Sequence, residues 1–197
     1  MTHPSMKEAR EVLVLIGSPR EKGKSARLGA AVTKRLRERG LKVTFFELSK
    51  YPVAACTGCG ACNVSGQCCI MGDSWGVLSK HMESCDAFLL VAPVYFAGPT
   101  GWLKAALDRC QMYWSRKYLL KEGVPSKRPA HLAVIGDGGD PFGTTPLETI
   151  CTSALNCANL RISPERTHRF IGMDIEDAQA DELTRAVLAS VANGEDA

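Results

Sequence analysis

Cys56, Cys59 and Cys62 recur at intervals of three, and Cys68 follows after a short loop. Thiols at that interval turn a tight backbone around one point, and a fourth can complete a cube of iron and sulfide. The bacterial ferredoxin run opens with the same spacing. Gly58, Gly60 and Ala61 let backbone N–H groups approach the sulfides, which tunes the potential. Zinc fits less well, because its ligands usually come as two separated knuckles. A thioredoxin-like exchange pair belongs at a helix start in a different fold context. A thiol loop that binds nothing stays open as an alternative. Cys69 reads as spare, since a neighbour of Cys68 cannot easily face the same metal. Cys85, Cys110, Cys151 and Cys157 lie in or near helical stretches and read as small core residues. His3, His81, His131 and His168 form no visible cluster, so no histidine metal site is expected.

The second chemical stretch runs from Gly17 to Ser25, Gly-Ser-Pro-Arg-Glu-Lys-Gly-Lys-Ser. It leaves an apolar run, Val12–Ile16, and enters a helical pattern near Lys24. A loop from a buried strand into a helix start offers free N–H groups and the positive end of the helix dipole, so it favours a phosphate. Ser18 and Ser25 add hydroxyls there, Arg20 and Lys24 add charge, and Gly23 precedes the helix. The dinucleotide fingerprint is absent, because no second glycine follows Gly17 in place. A nucleoside-triphosphate loop needs four residues between its glycines, and Gly17 and Gly23 enclose five. Asp137 after the run His131–Ile135 imitates a magnesium-binding carboxylate, but one extra residue misplaces the donors of so tight a cradle.

The elements that must position these groups follow from patterning. Val12–Ile16, Leu41–Leu48, Ala87–Ala92, His131–Ile135 and a fifth stretch within Leu160–Ile171 read as strands, the first and third apolar on both faces as in a parallel sheet. Helices are expected over 24–39, 74–84, 102–118, 145–158 and 176–192. Strands alternating with helices give an α/β fold, a doubly wound five-stranded parallel sheet of order 2-1-3-4-5 in three layers. Ligands then bind outside the carboxyl ends of strands one and three, where the order reverses. The loops leaving those ends are Gly17–Ser25 and Pro93–Gly101.

Composition sets the outer limits. The 197 residues read as one domain, 1–197, with an N-terminal extension over 1–10 and a cysteine-rich insertion over 49–72. A net charge of +3 is too balanced for a nucleic-acid surface. Basic pairs such as Arg116-Lys117 and Lys127-Arg128 read as solvated. No apolar run is long enough for a membrane span, and no apolar segment precedes the first strand as a secretory signal would. Nine cysteines are therefore expected in a reducing, cytoplasmic compartment.

Gly17-Ser-Pro-Arg-x-x-Gly-x-Ser25, then Pro93-Val-Tyr-Phe96, then Gly101-Trp-Leu-Lys104 and Leu107-Asp-Arg109 resemble the flavodoxin-like NAD(P)H-dependent FMN reductase family. With the cysteine loop they resemble its iron–sulfur flavoproteins. The resemblance covers roughly residues 12–172 and implies an FMN whose phosphate is held by Ser18, Arg20, Gly23, Lys24 and Ser25. Pro93, Val94, Tyr95 and Phe96 would line the ring, and the turn through Gly138 and Gly139 would approach it. Cys56, Cys59, Cys62 and Cys68 would ligate one [4Fe–4S] cluster. Two departures are visible: Lys24 stands where the family usually has asparagine, and Pro99 removes a backbone donor from the ring loop. The resemblance further implies a homodimer or homotetramer, NAD(P)H as a transient donor, and a small-molecule or ferredoxin-type redox partner; aromatic and Met residues beyond one core stripe from Trp102 through Trp114 read as part of an oligomer face or as plain core packing. The expected function is an FMN-binding oxidoreductase with two redox centres. The alternatives are an FMN or quinone reductase without a cluster, and a non-catalytic electron carrier.

Overall fold

Every side chain from Val12 to Ile16 is at most 2% exposed, which only a strand covered on both faces achieves. This computed structural model describes residues 10–123 and 125–193; the extension through residue 9, with His3, lies outside the described residues, as does Val124. Five strands, β1 (Glu11–Ile16), β2 (Lys42–Glu47), β3 (Ala87–Pro93), β4 (Arg128–Gly136) and β5 (Leu160–Ile171), pair in parallel in the order β2-β1-β3-β4-β5. The fold is the expected flavodoxin-like one.

Alternation along β1 divides the core. Val12, Val14 and Ile16 face α1 (Lys24–Glu38) and the last helix, α7 (Asp177–Asn193), through Leu28, Val32, Leu183 and Val187. Leu13 and Leu15 face the opposite layer of α3 (Trp75–Ser84), α4 (Gly101–Arg109), α5 (Gln111–Trp114) and α6 (Thr145–Cys157). A four-residue helix, α2 (Cys62–Ser65), sits inside the cysteine loop.

Four expectations need correction. The single long helix expected over 102–118 is broken at Cys110 and passes through α5 into a wider π-helical turn, Ser115–Leu119, closed by Leu120 N–H donating to the Ser115 carbonyl. The altered register lets Arg109, Ser115 and Arg116 all bond to the cysteine loop. Arg116 and Arg128 are not simply solvated: Arg116 donates to the Gly66 carbonyl, and Arg128 to the carbonyls of Glu83, Cys85 and Ala158. Two histidines do cluster. The pairing of β4 with β5 brings His131 Nδ1 within 3.2 Å of His168 Nε2, and Ser190 Oγ lies 2.8 Å from His131 Nε2. Finally, the cysteine loop follows the strand beside β1 and is therefore expected at the edge where β1 and β3 end, but it folds away from that edge, as described next.

Candidate functional site

The Gly17–Ser25 loop, expected to hold a phosphate, is built by close packing. Gly17 N–H donates to the Val91 carbonyl, 2.9 Å away, and a Cβ at Gly17 would fall 2.7 Å from Leu103 Cδ2. Ser18, 4% exposed, folds the turn by accepting the Arg20 N–H at 3.1 Å. Gly23 caps α1 without a side-chain bond, and the first turn of α1 carries no acidic residue. The leading N–H groups of this helix therefore point outward beside the buried Ser25, an arrangement that suits an anion. Arg20 is exposed at the rim. Lys24 is already engaged: its Nζ lies 3.0 Å from Asp137 Oδ1 and 3.7 Å from Asp174 Oδ1, and it donates to the Met173 carbonyl. Chiefly Asp137 holds its ammonium above the ordinary lysine range. Lys24 thus ties α1 to the turns after β4 and β5, and the carboxylates compete with any phosphate for it.

The ring loop is joined to this cradle by Thr100. Its hydroxyl donates to the Gly17 carbonyl at 2.6 Å and accepts the Leu103 N–H at 3.1 Å, capping α4. Between Pro93 and Thr100 the chain makes a two-residue turn, with Tyr95 and Gly98 exchanging N–H···O=C bonds of 2.9 and 3.0 Å. Phe96 and Ala97 at its tip have φ of 50° and 59°. Non-glycine residues pay about 1–2 kcal/mol each for that left-handed region. Ala97 is buried and its carbonyl accepts the Leu147 N–H, but Phe96 is 99% exposed. The strained turn thus holds an aromatic ring wholly in solvent beside the Gly17–Ser25 loop. Tyr95 is half-buried in the same loop. Gly138 and Gly139, both at positive φ, turn the chain after β4, and Val94 packs against Gly136.

The cysteine loop is held shut by charge. Arg109, 1% exposed, donates from Nη1 to the Ala54 carbonyl (3.1 Å) and Asp73 Oδ2 (2.8 Å), and from Nη2 to the Ile70 carbonyl (3.0 Å). Asp73 also accepts the Ala54 and Trp75 N–H groups. Burial pushes the Asp73 carboxyl up, but those N–H groups and the guanidinium outweigh it and hold it below the usual range. One arginine therefore clamps both stems of the loop.

Inside the clamp lies a cavity of roughly 350 Å³ lined by Cys56, Cys59, Cys62, Cys68 and Cys69 and backed by Asp108–Arg109 and Gln111–Met112. The structure thus gathers all four expected ligands around one space. Among the described residues no three of them converge as ligands of a single ion would. Each thiolate of a four-iron cluster binds a different iron, so a wider spacing suits it. Gly58 N–H donates to Cys56 Sγ and Ser115 Oγ to Cys62 Sγ, both at 3.5 Å. The Ala61 N–H, then the Cys69 thiol, draw the Cys59 thiol below the ordinary range. Donor set, room and N–H···S bonds all fit a cluster. The cavity sits at the C-terminal end of α4, whereas the phosphate and ring loops meet its N-terminal end. Nine residues of helix, roughly 13 Å, lie between.

Reading the sequence missed Arg109 and Asp73 as a pair, and Asp137 and Asp174 as partners of Lys24. Arg109 stood within a family motif without a role. The only signal for the clamp was a charged residue on the apolar stripe of a helix; its partner lies 36 residues away.

A parallel sheet whose switch point carries an anion cradle, an aromatic turn and a glycine turn defines a flavodoxin-like cofactor-binding protein. Residues 10–144, more than half of the 197, match the family described as NADPH-dependent FMN reductase, and the chain belongs to that family. An iron–sulfur flavoprotein of Archaeoglobus fulgidus is 33% identical over 105 residues, 53% of this chain and 47% of that protein. An iron–sulfur flavoprotein of Methanocaldococcus jannaschii is 33% identical over 99 residues, 50% of this chain and 51% of that protein. The chain spans about half the length of these relatives. A solved NADH:FMN oxidoreductase shares the fold, with a TM-score of 0.62 at 15% identity, covering 96% of this chain and 92% of that one.

Proposed function

We propose that this protein is an FMN-dependent oxidoreductase whose single flavodoxin-like domain also carries a [4Fe–4S] cluster. The observation that carries this reading is the coexistence, in one chain of the FMN reductase family, of a helix-N-terminal anion cradle and a four-thiol cavity. When bound, FMN exchanges two electrons with a hydride donor and releases them singly, and a [4Fe–4S] cluster carries one at a time. Ser18, Ser25 and the first N–H groups of α1 hold the phosphate, with Arg20 at the rim and Gly23 leaving room. Lys24 contributes charge once a phosphate draws it from Asp137. Pro93–Phe96 and the Gly138–Gly139 turn border the ring. Cys56, Cys59, Cys62 and Cys68 hold the cluster, and the Arg109–Asp73 clamp keeps their loop closed.

NAD(P)H serves as the transient donor, or a ferredoxin-type or small-molecule partner supplies the electrons, in a cytoplasmic, reducing setting. No described helix is long and apolar enough to cross a membrane. Trp102 on α4, Trp114 at the end of α5, and Tyr118 and Leu119 in the π-helical turn are between 38% and 48% exposed and supply the face of a homodimer or homotetramer. Such an assembly would offset the separation within one chain by bringing one subunit's cluster towards another's flavin. A second reading, an FMN or quinone reductase without a cluster, draws on the lack of three converging ligands among the described residues.

An absorption spectrum with flavin, iron and sulfide quantitation on protein purified without oxygen tests both. Flavin bands over a broad shoulder near ~400 nm, with about four irons per chain, are expected. Flavin without iron selects the second reading, and absence of flavin refutes both. In the double variant S18A/S25A, flavin occupancy falls; unchanged occupancy would remove the phosphate assignment.

A further inference from the structure

Cys69 is the thiol of the loop that the cluster spacing leaves over, and it is not idle. Its Sγ stands 3.3 Å from Cys59 Sγ, ten residues earlier in the chain. Both residues are exposed, and both line the cysteine cavity. A disulfide requires about 2.05 Å between sulfurs, so closure takes little more than an ångström of movement. That movement falls at Cys59, which stands between Gly58 and Gly60, both at positive φ, and at the exposed Cys69. Cys85, Cys110 and Cys151, by contrast, are buried in the core and shielded from an oxidant.

We propose that Cys59 and Cys69 are a dithiol that closes to a reversible disulfide whenever the loop holds no cluster, which makes Cys69 a modification site that withdraws one ligand thiol. The inference goes beyond the proposed function and needs only the two sulfurs; the cluster enters as the competitor for Cys59. The co-reactant is a low-molecular-weight disulfide. The Cys59 thiolate attacks one of its sulfurs, forming a mixed disulfide and releasing one small thiolate. The Cys69 thiolate then attacks Cys59 Sγ, breaks the mixed bond and releases the second. Two protein thiols lose two protons and two electrons, and the small disulfide gains them as two thiols. While the bond lasts, only Cys56, Cys62 and Cys68 of the four expected ligands remain as thiols, so loading a cluster requires prior reduction.

The test is differential alkylation of the full-length protein after chelator treatment and incubation with oxidised glutathione. Free thiols are blocked with iodoacetamide, the protein is reduced, and newly exposed thiols are labelled with N-ethylmaleimide. Trypsin leaves Tyr51–Lys80 as one peptide, since no lysine or arginine interrupts it, and fragmentation reads each cysteine separately. The expected result is maleimide on Cys59 and Cys69 in most chains, with iodoacetamide on Cys56, Cys62 and Cys68. In an unreduced digest the wild type shows a Cys59–Cys69 cross-link, C69S stops at the mixed disulfide and carries glutathione on Cys59, and C68S keeps the cross-link. Iodoacetamide on both Cys59 and Cys69, or glutathione on either in place of the cross-link in the unreduced wild-type digest, would each overturn the proposal. Iron and sulfide measured before chelation report on the cluster separately. A chain that binds no iron yet forms the bond loses the two-centre reading and keeps this one.

Discussion

Gly17→Ala is a one-methyl change that tests how the two cofactor loops are joined. The added Cβ would lie 2.7 Å from Leu103 Cδ2 and 3.2 Å from Leu103 Cβ and Cγ. Leu103 is fully buried and cannot swing into solvent, so α4 must retreat from the loop. That retreat stretches the 2.6 Å bond from Thr100 Oγ1 to the Gly17 carbonyl, the tie between the phosphate and ring loops. Overpacking of this kind costs about 1–3 kcal/mol. For a chain of this size that is a fall of roughly 3–10 °C in melting temperature. Two assays read it, thermal unfolding by circular dichroism and FMN titration by flavin fluorescence, where affinity weakens. Leu103→Ala alone costs about 2–5 kcal/mol by leaving a cavity. In G17A/L103A the new methyl enters that space, so the combined loss is smaller than the sum, and FMN binding recovers relative to G17A. Losses that add within about 0.5 kcal/mol would show that the two side chains do not meet, and the joint between the loops would have to be rebuilt on other contacts.

Three further outcomes are expected. Burial, then His168 and Arg166, hold His131 down at about 3, while Glu165 opposes them weakly; Ser190 and His168 are its bonded neighbours, and His168 faces Glu182. An unfolded histidine binds its proton near 6.5, so stability is complete above that pH and falls below it by up to about 1.4 kcal/mol per unit, or about 2 kcal/mol at pH 5. Urea unfolding across pH 4–8 checks this, and H131N should flatten the acid side; an unchanged slope in H131N would refute it. Arg109→Met leaves Asp73, with a side chain only 14% exposed, without its counter-charge, which costs about 3–5 kcal/mol and opens residues 54–73 to limited proteolysis. A wild-type urea midpoint and cleavage pattern would remove the clamp. Phe96→Gly relieves a φ of 50° and raises stability by about 1 kcal/mol while weakening flavin or substrate binding. A change of the same sign in both assays would mean that Phe96 is not a ligand contact.

Legibility differed from element to element. Val12–Ile16 and Ala87–Ala92 were plain as buried parallel strands because both faces are apolar, and the strand order followed from their alternation with helices. The Gly17–Ser25 turn was legible because its parts are local: a strand end, a turn and a helix start, all within contiguous residues. The cysteine spacing was local in the same way. The break at Cys110 was not, since it reflects side-chain ties from Arg109, Ser115 and Arg116 to a loop 40 to 60 residues earlier. Cys69 was set aside because adjacent residues were assumed to diverge, and they do: Cys69 turns instead to Cys59.

The sequence by itself determined which groups the chain brings together, four spaced thiols and a strand–turn–helix start, because spacing along the backbone fixes which groups can share one point. Tertiary structure alone decided where those sites sit and what restrains them. The 36-residue span from Asp73 to Arg109 and the 113-residue span from Lys24 to Asp137 are closed by burial and charge acting between distant segments. Such pairings depend on the packing of whole layers, and no short window of residues encodes them.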